Sequence, residues 1–268
     1  MPAVILIRGA GDLASGVALR LHRAGLNVVM TELPSPLAVR RTVSFAEAIW
    51  EGSVTIESVV GRRVDDPGDM LKVLSVVGAQ SIPVLIDPDC TSASHLHPLV
   101  IIDARMLKRP PEPLQHSAQM YLGLGPGFTA PLNCHAVVET ERGHWMGRVF
   151  FQGAAREDSS RPDGDARRVL RAPVGGAIEA NAHIGQHFET GELIASIGGF
   201  AIEAPFAGVL RGLLRPGTVA EKGMKIGDLD PRDDPQLCRY VSEKALAVGG
   251  GVLEAMLCRP DVRAKLWA

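Results

Sequence analysis

The stretch Val4-Ile-Leu-Ile-Arg-Gly-Ala-Gly-Asp-Leu-Ala14 joins a short β-branched run to a glycine-rich turn and the first turn of a helical pattern. Val4–Ile7 reads as a strand buried on both faces. Beyond the turn, Leu13, Val17, Leu21 and Ala24 recur at helical spacing. Gly25 ends that helix, Leu26–Met30 is a second apolar strand, and Glu32 stands at its carboxyl end. Each part of this strand, Gly-x-Gly-x-x-Ala, helix, strand, acid series suits a dinucleotide. Gly9 permits a tight turn, Gly11 lets the backbone approach a pyrophosphate, and Ala14 allows close helix–strand packing. The helix N-terminus offers free N–H groups to phosphate. Glu32 is placed to hold a ribose 2′-hydroxyl. Asp12 opposes a phosphate there and also suits a helix cap.

Working outward, Leu33–Ser44 is broken by prolines and then basic. Arg40 and Arg41 follow the second strand, where an NADP 2′-phosphate or another anion is read. Met70–Val77 is a helix, and Pro83–Ile86 and Leu99–Ile102 are further buried strands. Strands alternating with helices predict an α/β N-terminal domain over residues 1–109, a Rossmann-like parallel sheet with its ligand edge at Arg8, Glu32, Asp87 and Asp103. His95 and His97 with Cys90 lack a fourth ligand at a recognised spacing, so no metal site is assigned.

Pro110–Pro113 punctuates the chain. Residues 110–154 read as a glycine loop and a hairpin. Gly123, Gly125 and Gly127 bring several N–H groups to one point, and Gly125 and Gly127 are candidate anion binders. Cys134 follows that loop and abuts His135. A neighbouring imidazolium or anion nest lowers a thiol pKa, which makes the pair candidates for catalysis with an exposed, partly ionised thiolate, although adjacent strand residues point to opposite faces. Cys90 is its candidate partner.

Residues 155–168 read as a polar linker. Beyond it the chain repeats, Ala172-Pro173 returning as Ala204-Pro205, Gly176 as Gly208, Gly185 as Gly217 and Gly191 as Gly223, a period of 32. One such unit cannot bury a core alone, so two must pair. Glu203–Val209 and Arg215–Gly217 resemble the barrel-sandwich hybrid of biotinyl and lipoyl carriers. The expectation for 168–230 is therefore that fold, with no carrier lysine on the hairpin Ile197–Ala201. The tail, 234–268, reads as helical, with Gly249–Gly251 as a break between helices or a point of close backbone approach.

The chain has 268 residues, 28 basic and 30 acidic, a balance that argues against a nucleic-acid footprint. The first apolar run is far short of the roughly 20 residues of a membrane span, and Arg8 interrupts it. Neither a signal peptide nor a membrane is expected, so the location is expected to be cytoplasmic. The four cysteines are too scattered for a disulfide framework.

Ile7–Ala14, Pro36–Glu47, Asp103–Lys108, Gly123–Thr129, Cys134–Thr140 and Ala247–Ala255 together resemble the YqeB-type family, associated with selenium-dependent molybdenum hydroxylase systems. Pro131 departs from it, standing where that family leads one to expect glycine. The resemblance implies an accessory or maturation factor for a molybdenum hydroxylase or its maturation system. Such a factor would bind NAD(P) or a molybdopterin-type nucleotide, with Cys134 handling sulfur or selenium. Two alternatives stand beside it: an NAD(P)-dependent oxidoreductase of a small metabolite, and a non-catalytic adaptor docking on a partner enzyme. A homo-oligomer is compatible with each.

Overall fold

The computed structural model describes residues 3–113, 117–157 and 164–268. The expected linker at 155–168 therefore lies partly outside the described residues. The chain forms two compact units, one of Met1–Pro36, Phe45–Ser159 and Val241–Ala268, the other of Leu37–Ser44 and Ser160–Tyr240.

In the first unit the β-branched run becomes β1 (Val4–Arg8), buried at every position. It is followed by α1 (Asp12–Arg23) and β2 (Asn27–Glu32). Next come α2 (Ala48–Glu51), β3 (Ser53–Ile56), β4 (Val59–Val64), α3 (Met70–Gly78), β5 (Ile82–Ile86) and α4 (Ala93–Leu96). The unit continues through β6 (Val100–Asp103), β7 (Met120–Leu124), β8 (Thr129–Ala130), β9 (Ala136–Val138), β10 (Val149–Phe150) and β11 (Gly153–Ala154). Nine of these strands form one sheet in the order β10-β9-β7-β6-β1-β2-β5-β4-β3. The seven from β9 to β4 run parallel, while β10 and β3 close the two edges antiparallel. The expected purely parallel sheet over 1–109 is thus corrected to a mixed sheet. The segment read as a separate hairpin supplies three of its strands, because β7 and β9 continue the parallel ladder beside β6.

The tail belongs to this unit as α5 (Glu243–Leu257) and α6 (Pro260–Arg263). Ser242 caps α5 by accepting from the Ala245 amide. Gly249–Gly251 do not break it: the helix runs through all three. Gly249 and Gly251 are points of close approach instead, while a Cβ on Gly250 would meet nothing within 4 Å. A Cβ on Gly249 would come 3.2 Å from the Val17 Cα of α1, and one on Gly251 would collide with the Gly147 carbonyl. A Cβ on Gly16 of α1 would collide with Ala245. Glycine costs a helix about 1 kcal/mol against alanine, and packing α5 against α1 at this range offsets it.

The second unit contains β12 (Val169–Arg171), β13 (Gly176–Glu179), β14 (His187–Phe188), β15 (Leu193–Ile197), β16 (Phe200–Glu203), β17 (Gly208–Leu213), β18 (Val219–Ala220) and β19 (Lys225–Asp230). The expected barrel-sandwich hybrid is corrected. These residues form two four-stranded antiparallel sheets, β12-β19-β17-β14 and β16-β15-β13-β18, and among the described residues no ladder joins one to the other. The sequence repeat governs how they are built. Adding 32 to the numbers of β12 to β15 gives β16 to β19, and the same shift carries one sheet's order into the other's. Each sheet takes two strands from each repeat. Pairing follows the same rule: Gly176↔Ala220 and Ala177↔Val219 in one sheet match Phe188↔Gly208 and His187↔Val209 in the other. Gly185, with φ +96°, donates to the Leu210 carbonyl at 2.8 Å, and Gly217, with φ +86°, donates to Ile178 at 2.8 Å. Glycine occupies both turns because that region of φ is costly for other residues. Leu170, Ile178, Phe188, Ile194, Ile202, Leu210 and Ile226 are among the buried side chains of this unit's core.

Candidate ligand-binding edge of the nine-stranded sheet

From β1 the chain moves to β2 on one side and returns later as β6 on the other. The strand order reverses there, and ligands of open α/β sheets bind in the crevice outside such a point. Arg8 ends β1 and Asp103 ends β6, paired across the ladder. Gly9 follows with φ +95°, its amide donating to Thr31, and a Cβ on it would come 3.4 Å from the Ala104 backbone. Gly11, at the mouth of α1, is different: a Cβ on it would meet nothing within 4 Å.

Glu32 braces the loop. One carboxylate oxygen accepts from the Ala10 amide at 2.8 Å and the other from the Leu33 amide at 2.7 Å. Burial raises its pKa, with those two amides pulling the other way. The Asp12 carboxylate accepts from the Leu13 amide at 2.9 Å.

Asp103, fully buried, is the centre of this edge. It accepts from both Arg105 donors Nε and Nη2, from the Tyr121 hydroxyl at 3.0 Å and from Arg8 at 3.4 Å. Burial, ahead of the Asp103 charge, raises the Tyr121 phenol. The buried Nε of Arg8 has no partner among the described residues. Arg105 and Tyr121 were not singled out from the sequence. Arg105, two residues after a strand-ending acid, was the available signal; Tyr121 is brought in by the β6–β7 pairing. Asp87 caps the next loop, accepting from the Thr91 amide and hydroxyl and from the Ser92 amide.

Cys134 and His135 line a cavity of about 460 Å³ together with Asn133, Tyr121 and Glu112, the last two being partners of Asp103 and Arg105. Cys134 is buried, and burial pushes its thiol up to about 11 against the pull of the Gly123 and Thr129 amides. The expectation of an exposed, partly ionised thiolate is corrected accordingly. His135 is exposed, and its Nδ1 accepts from the Tyr121 amide at 2.9 Å. Cys90, also buried with its thiol pushed up to about 11, packs in a different apolar cluster from Cys134, and Tyr121 lies against both. The Gly125 amide donates to Val138 at 2.9 Å, and a Cβ on Gly127 would collide with the Arg109 carbonyl.

Arg40 and Arg41 belong to the second unit. Arg40 donates to the Tyr240 carbonyl at 3.3 Å, and Arg41 to the Leu213 carbonyl at 2.8 Å. The reading of a 2′-phosphate by this pair is corrected: these donors hold the Leu37–Ser44 segment in its own unit. Among the described residues no group of three or more His, Cys, Asp or Glu could hold a metal, and no helix is long and apolar enough to cross a membrane.

A β-α-β turn at a switch point, with glycine open at the helix mouth, makes this an α/β unit. The chain is 43% identical over 258 residues to the uncharacterized protein YqeB of Escherichia coli, covering 95% of this chain and 47% of that protein. This supports the resemblance to the YqeB-type family, and the chain spans about half the length of that curated relative. No family model matches. Among solved structures, an aspartoacylase family protein from Mesorhizobium loti is 9% identical with a TM-score of 0.27, covering 85% of this chain and 84% of that one. A succinylglutamate desuccinylase/aspartoacylase from Rhodobacter sphaeroides is 11% identical with a TM-score of 0.26, covering 85% of each. Scores this low establish no shared fold.

Proposed function

We propose that the chain is an accessory factor for a selenium-dependent molybdenum hydroxylase system and that the crevice between β1 and β6 holds the nucleotide part of its ligand, NAD(P) or a molybdopterin-type nucleotide. The hydroxylase association rests on the strings that resemble the YqeB-type family. The nucleotide reading rests on one observation, the open approach at Gly11 beside a switch point that Glu32 and Gly9 hold in shape. Sulfur handling at Cys134 is left out, because a thiol with a pKa of about 11 is protonated at neutral pH.

Thermal denaturation with NAD, NADP, CTP and molybdenum cofactor tests this. A nucleotide at a hundred times its Kd stabilises by about 2.7 kcal/mol, a shift of several degrees. Gly11→Val should abolish the shift while keeping the unliganded Tm, since its side chain enters open space in the fold. No shift with any of the four, or a shift that survives Gly11→Val, refutes the site. The accessory role is tested separately. A partner hydroxylase produced without this chain should show lower specific activity, restored by the native chain and not by Gly11→Val.

A further inference from the structure

Arg8 is a buried cation that the fold barely uses. Its side chain is 7% exposed, and its ion pair is a long one, Nη1 to Asp103 at 3.4 Å. Asp103 does not depend on it. Arg105 holds that carboxylate side-on, through Nε at 3.0 Å and Nη2 at 2.6 Å, and the Tyr121 hydroxyl adds a bond at 3.0 Å. The same side-on fork of Arg8 makes no contact among the described residues, and its Nε is buried. Asp87, whose charge acts on the Cys90 thiol together with that of Arg8, is turned to the Thr91 amide and hydroxyl and the Ser92 amide. The Ser92 hydroxyl on that loop is itself fully buried and without a partner among the described residues. A guanidinium carries five donors, and keeping one buried with so few bonds is costly.

The position of that fork follows from the sheet. Val4 and Leu6 alternate with Arg8 along β1 and pack with Val73 and Val76 of α3 and with Ala93 and Leu96 of α4, so Arg8 shares their face. The steps from β1 to β2 and from β4 to β5 run in opposite directions along the strand order. Right-handed crossovers therefore set α1 and α3 on opposite faces. The mouth of α1 and the Arg8 fork thus flank the end of β1 from its two sides. Gly9 and Gly11, which join them in the chain, carry no side chain to divide them.

We infer that the end of β1 binds a diphosphate, one phosphate on the N–H groups at the mouth of α1 and the other on the Nε–Nη2 fork of Arg8. Two oxygens of a phosphate match such a fork as the Asp103 carboxylate matches Arg105. Arg8 gives up only its 3.4 Å contact to do this, since Asp103 keeps Arg105 and Tyr121. The inference rests on the nucleotide reading and deepens it: the diphosphate is the part of the nucleotide that the crevice reads, and Arg8 is the residue that tells it from a monophosphate.

Inorganic pyrophosphate is the probe, titrated calorimetrically into the full chain at constant ionic strength, with inorganic phosphate and NAD beside it. Pyrophosphate should bind about tenfold more tightly than phosphate. Arg8→Met should weaken pyrophosphate about a hundredfold. Arg8→Lys keeps the charge and loses the fork, and should weaken it about tenfold. Arg8→Met should keep the unliganded Tm, because Asp103 retains its other partners; if it does not fold, Arg8→Lys decides. No binding of pyrophosphate up to about 1 mM, no preference for it over phosphate, or an affinity unchanged in Arg8→Lys overturns the inference. NAD that binds the native chain and Arg8→Met alike overturns the diphosphate site and leaves the nucleotide reading standing. Pyrophosphate that binds through Arg8 while no nucleotide binds does the reverse.

Discussion

Asp103 in the first unit and Asp228 in the second are both buried carboxylates that gather two arginines, but their surroundings differ. Asp103 holds Arg8, whose side chain is 7% exposed, together with Arg105 and Tyr121. Asp228 holds Arg168 and Arg211, but Arg168 is 20% exposed and Arg211 also reaches Asp230 at 3.2 Å. In the first cluster Arg105, 21% exposed, also reaches Glu112 at 3.4 Å, so buried Arg8 is the one left with no second carboxylate among the described residues; in the second, Arg168 meets water and Arg211 has a spare carboxylate. A buried ion pair is therefore costly to break in proportion to what its orphaned partners can do next, rather than to the depth of the acid alone.

Removing each acid is the sharpest way to break that comparison. Asp103→Ala leaves the Arg8 cation buried and takes the acceptor from Tyr121, and is expected to lower stability by about 3–5 kcal/mol in urea titration. Asp228→Ala should cost less, about 1–3 kcal/mol, since Arg211 turns to Asp230. Equal losses would remove the distinction. The repeat supplies a finer test, because the counterpart of the Arg211–Asp228 pair is Glu179 and Ser196, where the serine hydroxyl donates to the carboxylate at 3.1 Å. Joining Arg211→Glu to Asp228→Ser copies that pair. The double variant should be more stable than the sum of the single losses predicts, by about 1 kcal/mol.

The buried thiols and Asp230 should respond at opposite ends of the pH range. Cys90 and Cys134 are raised from 9.0 to about 11, so the unfolded chain releases these protons first. Their contribution is complete below pH 9 and is lost as pH rises toward 11. Burial pushes Asp230 up, but hydrogen bonds from Arg232 and the charge of Arg211 outweigh it and hold it at about 2, against 3.8. Its contribution is complete above that value and is lost as pH falls toward 2. Hydrogen exchange should show loosening around Cys90 and Cys134 at the alkaline end and around Asp230 at the acid end. The smallest effect is kinetic: at pH 7.5 iodoacetamide should alkylate exposed Cys258 before buried Cys134.

Much of this was legible in the chain. Val4–Ile7, the Gly9 turn and Glu32 reveal themselves because strand period and glycine geometry are local properties. The 32-residue repeat is equally visible, since its turn glycines sit at fixed offsets. Arg40 and Arg41 are not legible, because their position just past β2 says nothing of the unit into which the chain carries them. The triple glycine was read through intrinsic propensity, which the α1–α5 packing overrides. Cys134 was read through its neighbours in sequence, while its pKa is governed mainly by burial. Asp103 was visible at a strand end; that Tyr121 would meet it depends on which strand lies beside β6.

The interleaving of the repeats has a consequence for synthesis. Neither repeat owns a sheet, so the first emerges from the ribosome with the edges of β13 and β15 lacking their partners β18 and β16. At about 5–20 residues per second, translating the following 32 residues takes roughly 2–6 s. For that interval the first repeat is an unfinished sheet whose matching strands have yet to be made, and its nearest substitutes belong to the same repeat on a neighbouring nascent chain.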